Sequence, residues 1–177
     1  MPQTALIPEV VCNLRCYHDN QPMPFTGDLT LPVLARITQE ISGAGIAGPI
    51  AVPVLGNIAS MQAQFATRVA TPEFFSVFSA GRHTLEFRGV IQASRVTESV
   101  QMNFSCFMSV ACVNVTPGTL TRGGEMGATA QFEVFDELIQ IDGTVYVDIS
   151  KLNDICRIRN AAGELVDELE NSRKFLQ

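Results

Sequence analysis

The sequence predicts a mainly β domain: a sandwich or barrel of long antiparallel strands, with one short helix on the sheet and a second helix at the C-terminus. Three observations predict this class. Apolar and polar residues alternate with period two over several long segments, which is typical of strands with one buried face. An Asp142-Gly143 pair separates two such segments, and only two stretches carry helix signals. With 177 residues, 46% of them hydrophobic, the chain is expected to fold as a single domain, residues 1–177, around its own core.

The alternation begins in the first third of the chain. It predicts one strand over residues 29–41 and another over residues 60–69. Each of these strands would turn an apolar face to the core and a polar face to water or to a partner protein.

The first helix signal follows the second of these strands. Thr71 can cap a helix, Pro72 suits its first position, and Glu73 matches the positive end of the helix dipole. Gly81 ends the pattern. The helix carries three phenylalanines that we expect to cover an open end or face of the sheet: Phe74, Phe75 and Phe78.

The second half of the chain is again dominated by alternation. Strands are predicted over residues 85–94, 100–115 and 128–141. Asp142-Gly143 then predicts a type I′ turn into a strand over residues 144–149, because both turn residues tolerate positive φ.

Acidic residues mark two further features. Asp136 and Glu137 interrupt the alternation, which favours a bulge or a strand edge protected by charge. A helix is predicted over residues 163–175, where acidic residues come first and basic residues last, as the helix dipole favours.

The five cysteines and two histidines do not form a recognisable site. On a strand, Cys12 and Cys16 share one face, and Cys106 and Cys112 share another, as expected for buried apolar thiols. The spacing from Cys12 to His18 invites a zinc site, but no second ligand pair completes it. We therefore expect no catalytic residue, no metal ligand and no cofactor, and the chain is not predicted to be an enzyme.

Charge also excludes several classes of function. Twelve basic residues against eighteen acidic ones give a net charge of −6, which argues against a surface that grips phosphates. No apolar run approaches the roughly 18 residues of a membrane span, so no membrane segment is expected. The first eleven residues do not resemble a signal peptide.

Residues 42–56 form a long segment that is rich in small residues and yet apolar. The segment is not a phosphate-binding loop, because it lacks the Gly-Lys-Ser/Thr ending. Its apolar side chains would favour aggregation if they were exposed on a monomer. We expect an extended arm that packs on a neighbouring subunit; the alternative is that the segment folds back on its own core. The residues assigned to the arm are Gly43, Ala44, Gly45, Ile46, Ala47, Gly48, Pro49, Ile50, Val52, Val54 and Leu55.

The order of these features resembles a known family. Phe25-Thr26-Gly27 precedes an apolar run over residues 29–34, and Glu40 leads into the small-residue segment before the strand that opens at Met61. Near the other end, residues 137–142 lead to residues 151–156 and a charged C-terminal helix. In this order the features resemble the major tail tube protein of contractile-tailed phages and the related tubes of R-type bacteriocins.

The resemblance implies the tail-tube fold and a structural role. Such subunits form hexameric rings that stack helically into a hollow conduit for DNA delivery, within a virion tail assembled in the bacterial host cytoplasm. The implied partners are further copies of the chain, the tail sheath protein around the tube, the tape measure protein in its lumen, and baseplate and tail terminator proteins at its ends. DNA would pass without specific binding.

The resemblance also places residues in the tube. It implies that residues 43–55 reach the adjacent ring, and that polar strand faces line the lumen, for which the candidates are Thr38, Glu40, Gln62, Gln64 and Arg68. Negative charge would then repel DNA phosphates from the wall, or simply keep free subunits soluble. The alternatives are the tube of a DNA-free contractile injection machine, such as an R-type bacteriocin or a type VI-like needle, and a monomeric ligand-binding barrel or enzyme.

Overall fold

Twelve strands and two short helices make up the part of the chain that the structure describes. The structure is a computed structural model and describes residues 7–24, 27–94 and 99–176. The strands are β1 (Ile7–His18), β2 (Gln21–Met23), β3 (Leu29–Thr30), β4 (Arg36–Ile41), β5 (Ile50–Ile58), β6 (Met61–Thr67), β7 (His83–Ser94), β8 (Ser99–Thr116), β9 (Ala128–Ile141), β10 (Thr144–Ser150), β11 (Ile155–Arg159) and β12 (Leu165–Asp167). The helices are α1 (Pro72–Ser76) and α2 (Glu170–Leu176). The predicted mainly β class is confirmed.

Ten of the strands form one antiparallel sheet around β9. The order is β12-β11-β10-β9-β8-β7-β1-β2, and β6, with β3 on its far side, also pairs with β9. The first half of β9 lies between β8 and β6, whereas its second half lies between β8 and β10. Strand β9 is therefore shared by two branches of the sheet.

A bulge in β9 separates these two branches. Ser109 of β8 pairs with Asp136 and Val110 pairs with Val134, which leaves Phe135 as the extra residue. The bulge changes which positions face the core: even-numbered residues are buried up to Val134, and Glu137 is buried after it. The sequence predicted a bulge or an edge here, and the structure has a bulge in a central strand.

The core lies on one face of this sheet and is built around stacked aromatic rings. The ring of Phe65 stacks on Phe132 at 5.4 Å and meets the edge of Phe74 at 5.5 Å. Cys16, Cys106 and Cys156 are buried with them, as free thiols. Two predicted core cysteines differ: Cys12 is exposed and Cys112 is half-buried. Cys12 is itself the extra residue of a bulge in β1, between the paired residues Val11 and Asn13, and this accounts for its exposure.

The predicted strand over residues 29–41 is wrong in extent. It is divided into β3, which pairs with β6, and β4, which leaves the main sheet and is exposed at all six residues. Pro32 lies between them and cannot donate a hydrogen bond to a continuing ladder. Residues 42–56, which the sequence predicts to be one extended arm, are a loop only in part, because β5 begins at Ile50 and pairs with β4.

The two predicted helices are both shorter than expected. Thr71 caps α1 by accepting a hydrogen bond from the backbone N–H of Phe74 at 3.3 Å. Only Phe74 of the three phenylalanines is buried, so the proposed aromatic cover is partial. At the C-terminus, residues 165–167 form β12 against β11, and the helix starts only at Glu170. The Asp142-Gly143 turn is confirmed, with φ of 49° and 75°.

Candidate assembly interface

Strands β4 and β5 form a hairpin that is separate from the main sheet. The two strands make a two-stranded sheet of their own. Its ladder has five residue pairs: Arg36 with Ile58 at the base and, beyond a bulge, Thr38 with Pro53, Gln39 with Val52, Glu40 with Ala51, and Ile41 with Ile50. A two-stranded hairpin without further packing is at best marginally stable in water. This projecting hairpin, residues 36–58, is therefore a candidate for contact with another molecule.

The projecting hairpin has one apolar and one polar face. Cross-strand partners share a face, so Ile41 and Ile50 lie beside Gln39 and Val52, and Ile37 extends the same row. The exposed fractions of the aliphatic side chains are 51% for Ile37, 46% for Ile41, 53% for Ile50 and 40% for Val52. The opposite face carries Thr38, Glu40, Ala51 and Pro53. Exposed apolar side chains grouped in this way are typical of a protein contact surface.

The tip of the projecting hairpin holds most of the predicted arm. Gly43, Ala44, Gly45, Ile46, Ala47, Gly48 and Pro49 all lie in the connection between the strands and are exposed. The N–H of Ile46 donates to the Gly43 carbonyl oxygen at 3.1 Å, and Gly45 has a φ of 94°, as a tight turn requires. Of the remaining arm residues, Ile50 and Val52 lie on β5, while Val54 and Leu55 lie in a bulge of that strand.

The base of the projecting hairpin is anchored by the segment that precedes α2. The Arg36 guanidinium forms an ion pair with Glu168, and the N–H of Gly56 donates to Oε2 of the same carboxylate at 3.3 Å. These contacts, chiefly the hydrogen bond from Arg36, lower the pKa of Glu168. Gly56 has a φ of 74°, and a side chain there would clash with Leu169. The anchor therefore joins both strands of the hairpin to the segment that precedes α2.

Sequence reasoning missed this anchor. It joins Arg36 and Gly56 to Glu168, residues that are 132 and 112 positions apart along the chain. No local pattern marks such a pairing. The acidic residues in 164–170 predict only a favourable match to the helix dipole.

The lumen candidates fall into two groups. Thr38 and Glu40 share the polar face of the projecting hairpin. Gln62 and Gln64 lie on the outer face of β6, beside Glu133 and Gln131 of β9. Arg68 follows the end of β6 and forms an ion pair with Glu125 at 3.4 Å. The structure describes no hydrogen-bonded pairing between the two groups, although β5 leads directly into β6.

Comparison with protein families gives a match over almost the whole chain. Residues 8–176 match the family of phage tail tube protein FII. The chain belongs to this family. A comparison with curated proteins returned no match. Of the features that carried the resemblance in the sequence, Phe25 and Thr26 lie outside the described residues.

Membership in the tail tube family has direct consequences. It gives the chain a structural role in a phage tail tube, locates it in the virion tail, and implies assembly with other tail components. Within the described ranges, no helix is long and apolar enough to cross a membrane.

One buried acid in the tube subunit stands apart from these surfaces. Glu137, on β9 after the bulge, is 1% exposed, and its Oε2 has no hydrogen-bond partner among the residues described. Its other oxygen faces the thiol of Cys106 at 4.0 Å. Burial raises the pKa of Glu137 to about 7. This carboxyl group is therefore sensitive to pH close to neutrality.

Proposed function

We propose that the chain is the structural subunit of the inner tube of a contractile tail, in which hexameric rings stack helically into a hollow conduit for DNA delivery. The observation that carries this proposal is the projecting hairpin, whose apolar face is exposed in a single copy. Contacts between unlike surfaces propagate from copy to copy instead of closing at a dimer, so one projecting element can build a stack. The tail tube family supports the coarse role.

In this proposal residues 42–56 form the extended inter-subunit loop. The apolar face of the projecting hairpin packs against an adjacent ring, and its anchor at Glu168 holds the direction of the contact. The exposed Leu55, beside the anchor, extends the apolar surface. Burying several aliphatic side chains that are about half exposed contributes roughly 1 kcal/mol each, because about 25 cal/mol is gained per Å² removed from water.

The polar candidates line the lumen in this proposal. Gln62 and Gln64 present uncharged side chains, and the charge of Arg68 is matched by Glu125. Glu40 adds negative charge to the polar face of the projecting hairpin. Such a wall holds a water film and does not attract phosphates, so DNA passes without specific binding. In the same proposal the sheath protein surrounds the tube, and baseplate and terminator proteins close its ends. The tape measure protein occupies the lumen during assembly in the host cytoplasm. The proposed role involves no enzymatic step.

Electron microscopy of the purified chain tests this proposal. Wild-type protein is expected to form rings or tubes at high concentration, visible by negative stain and as a fast-sedimenting species. The double variant Ile41→Ser/Ile50→Ser should remain as small particles, because it makes the apolar face polar. The matched control is Thr38→Ser/Ala51→Ser, which changes the opposite face of the same strands and should still assemble.

Removal of residues 43–55 is the stronger version of the same test. The deletion should abolish stacking and leave a folded subunit that still unfolds cooperatively and loses only the strand signal of the hairpin in circular dichroism, because the core lies in the main sheet. Normal tubes from Ile41→Ser/Ile50→Ser or from the deletion would contradict the proposed role. A wild-type protein that forms only small particles at high concentration would contradict it as well.

A further inference from the structure

Three polar side chains converge where the β1–β2 turn meets the start of β7. His18 ends β1, Asp19 begins the turn, and His83 begins β7. His18 Nε2 lies 3.0 Å from His83 Nδ1, and Asp19 Oδ2 lies 3.3 Å from the former and 3.6 Å from the latter. The chain has two histidines, and both are in this cluster.

The outer hydrogen bonds of the two rings favour one tautomer for each ring. The carbonyl oxygen of Ser79 can only accept, so His83 Nε2 donates to it at 3.1 Å. The Ser76 hydroxyl donates its proton to the Glu73 carbonyl oxygen at 2.7 Å, so its oxygen accepts from His18 Nδ1 at 3.3 Å. In their neutral forms both imidazoles then direct lone pairs at each other.

The carboxylate of Asp19 is oriented towards the same point. Its Oδ1 accepts the backbone N–H of Thr84 at 2.8 Å, and its own N–H donates to the Thr84 carbonyl oxygen at 2.9 Å. The remaining oxygen, Oδ2, faces the two rings. Two imidazole lone pairs and a carboxylate oxygen within 3.0–3.6 Å of one another repel unless a proton on one ring or a metal ion lies between them.

We propose that His18, Asp19 and His83 bind a zinc ion, with the fourth position left to water. In a tetrahedral zinc site with bonds of about 2.0–2.1 Å, ligand atoms lie about 3.3 Å apart, which is the mean spacing of this cluster. Imidazole nitrogen with one carboxylate oxygen is a donor set that suits zinc, and each ring already has the outer hydrogen bond that holds a metal-bound imidazole in place. The two rings are 14% and 8% exposed and Asp19 is 55% exposed, so the open position faces solvent on the Asp19 side.

The ion would fasten three parts of the subunit together. It would join the β1–β2 turn at the sheet edge to β7, and through Ser76 and Ser79 to the segment of α1. This role is structural and does not depend on the tube assembly proposed above. Sequence spacing predicted neither histidine as a ligand, because the two lie 65 positions apart.

Zinc titration of the full-length chain tests the proposal. The protein is purified with a histidine-free tag, stripped with a chelator and titrated by calorimetry while the two histidine ring signals are followed by NMR. One zinc ion per chain should bind, shift both ring signals and raise the unfolding temperature, because a ligand of the native state stabilises it. Asp19→Asn should weaken zinc binding at least tenfold.

The chain offers a matched control for this variant. Asp142 occupies the equivalent position in the β9–β10 turn: its Oδ1 accepts the N–H of Asn103 at 2.7 Å, and its own N–H donates to the Asn103 carbonyl oxygen at 2.8 Å. Asp142→Asn removes the same carboxylate from the same kind of turn. Asp142 has no histidine beside it, because both histidines of the chain lie in the cluster with Asp19. Zinc affinity in Asp142→Asn should equal that of the wild type.

Cysteine binding is the competing explanation, because Cys12 is exposed. Cys12→Ser should leave zinc affinity unchanged, and cobalt in place of zinc should give tetrahedral absorption without a thiolate charge-transfer band. The proposal is overturned if wild-type protein binds no zinc, if Asp19→Asn and Asp142→Asn bind it equally well, or if Cys12→Ser abolishes binding.

Discussion

Strands β4 and β6 have the same alternation of apolar and polar residues, but the apolar residues are buried in β6 and exposed in β4. In β6, Met61, Ala63 and Phe65 are buried in the core. In β4, Ile37 and Ile41 are about half exposed, and the whole strand lies outside the main sheet. Alternation therefore identifies an apolar face, but it does not identify what covers that face. In β6 the cover is the same chain; for β4 we propose that it is another copy.

The first prediction compares one residue from each strand. Phe65→Ala should lower the free energy of unfolding by about 3–5 kcal/mol, because it opens a cavity between Phe74 and Phe132. Ile41→Ala should change it by less than about 0.5 kcal/mol in the unassembled subunit. Urea denaturation at low protein concentration measures both. A large cost for Ile41→Ala would mean that the subunit itself covers this face.

The second prediction concerns the pH dependence of the other branch of the sheet, where Glu137 of β9 lies between β8 and β10. The pKa of Glu137 is about 7 in the folded chain, above the ordinary value of 4.5, so the folded chain binds this proton more tightly. Stability from this group is therefore greatest below about pH 4.5 and falls as the pH rises to about 7. Glu137→Gln should stabilise the subunit at pH 8 by up to about 3 kcal/mol, and by little at pH 4.5.

Glu125→Gln is the control for this effect. It removes the same charge at an exposed site beside Arg68 and should change stability little at either pH. Thermal unfolding of the three proteins at the two pH values measures the difference. An equal response of Glu137→Gln and wild type to pH would contradict the buried, unpartnered carboxyl group.

The third prediction weakens the anchor of the projecting hairpin. Glu168→Gln removes the ion pair with Arg36, whose side chain is 40% exposed, so the cost should be about 1 kcal/mol. Amide hydrogen exchange should rise roughly fivefold in residues 36–58 and stay unchanged in β7 to β9. The matched control is Glu170→Gln, which removes an exposed ion pair with Lys174 two residues further along. Similar exchange rates in residues 36–58 of both variants would contradict the stabilisation of the projecting hairpin by Glu168.

Much of the main sheet was predictable from the sequence, for local reasons. The apolar face is continuous along β6 and along β9 up to Val134, and the Asp142-Gly143 turn follows from two residues that tolerate positive φ. The boundaries failed where tertiary pairing decides them. Pro32 divides a segment whose alternation is continuous in the sequence. Residues 165–167 lie in a segment whose charge order predicts a helix, yet they pair with β11.

The candidate interface was predictable only in part. The small, apolar composition of residues 42–56 indicated a contact segment, and the structure leaves most of it exposed. The sequence does not predict its hairpin form, because Pro53 and Gly56 within β5 are residue types that favour loops over strands. The anchor at Glu168 and the cluster around His83 were missed because both join residues more than 60 positions apart.

A cryo-electron microscopy map of the particle formed by the purified chain would show what covers the projecting hairpin. We expect stacked rings in which Ile41, Ile50 and Val52 are buried against another copy, while Gln62 and Gln64 face the channel. A tube in which the apolar face of the projecting hairpin remains in solvent would contradict this expectation.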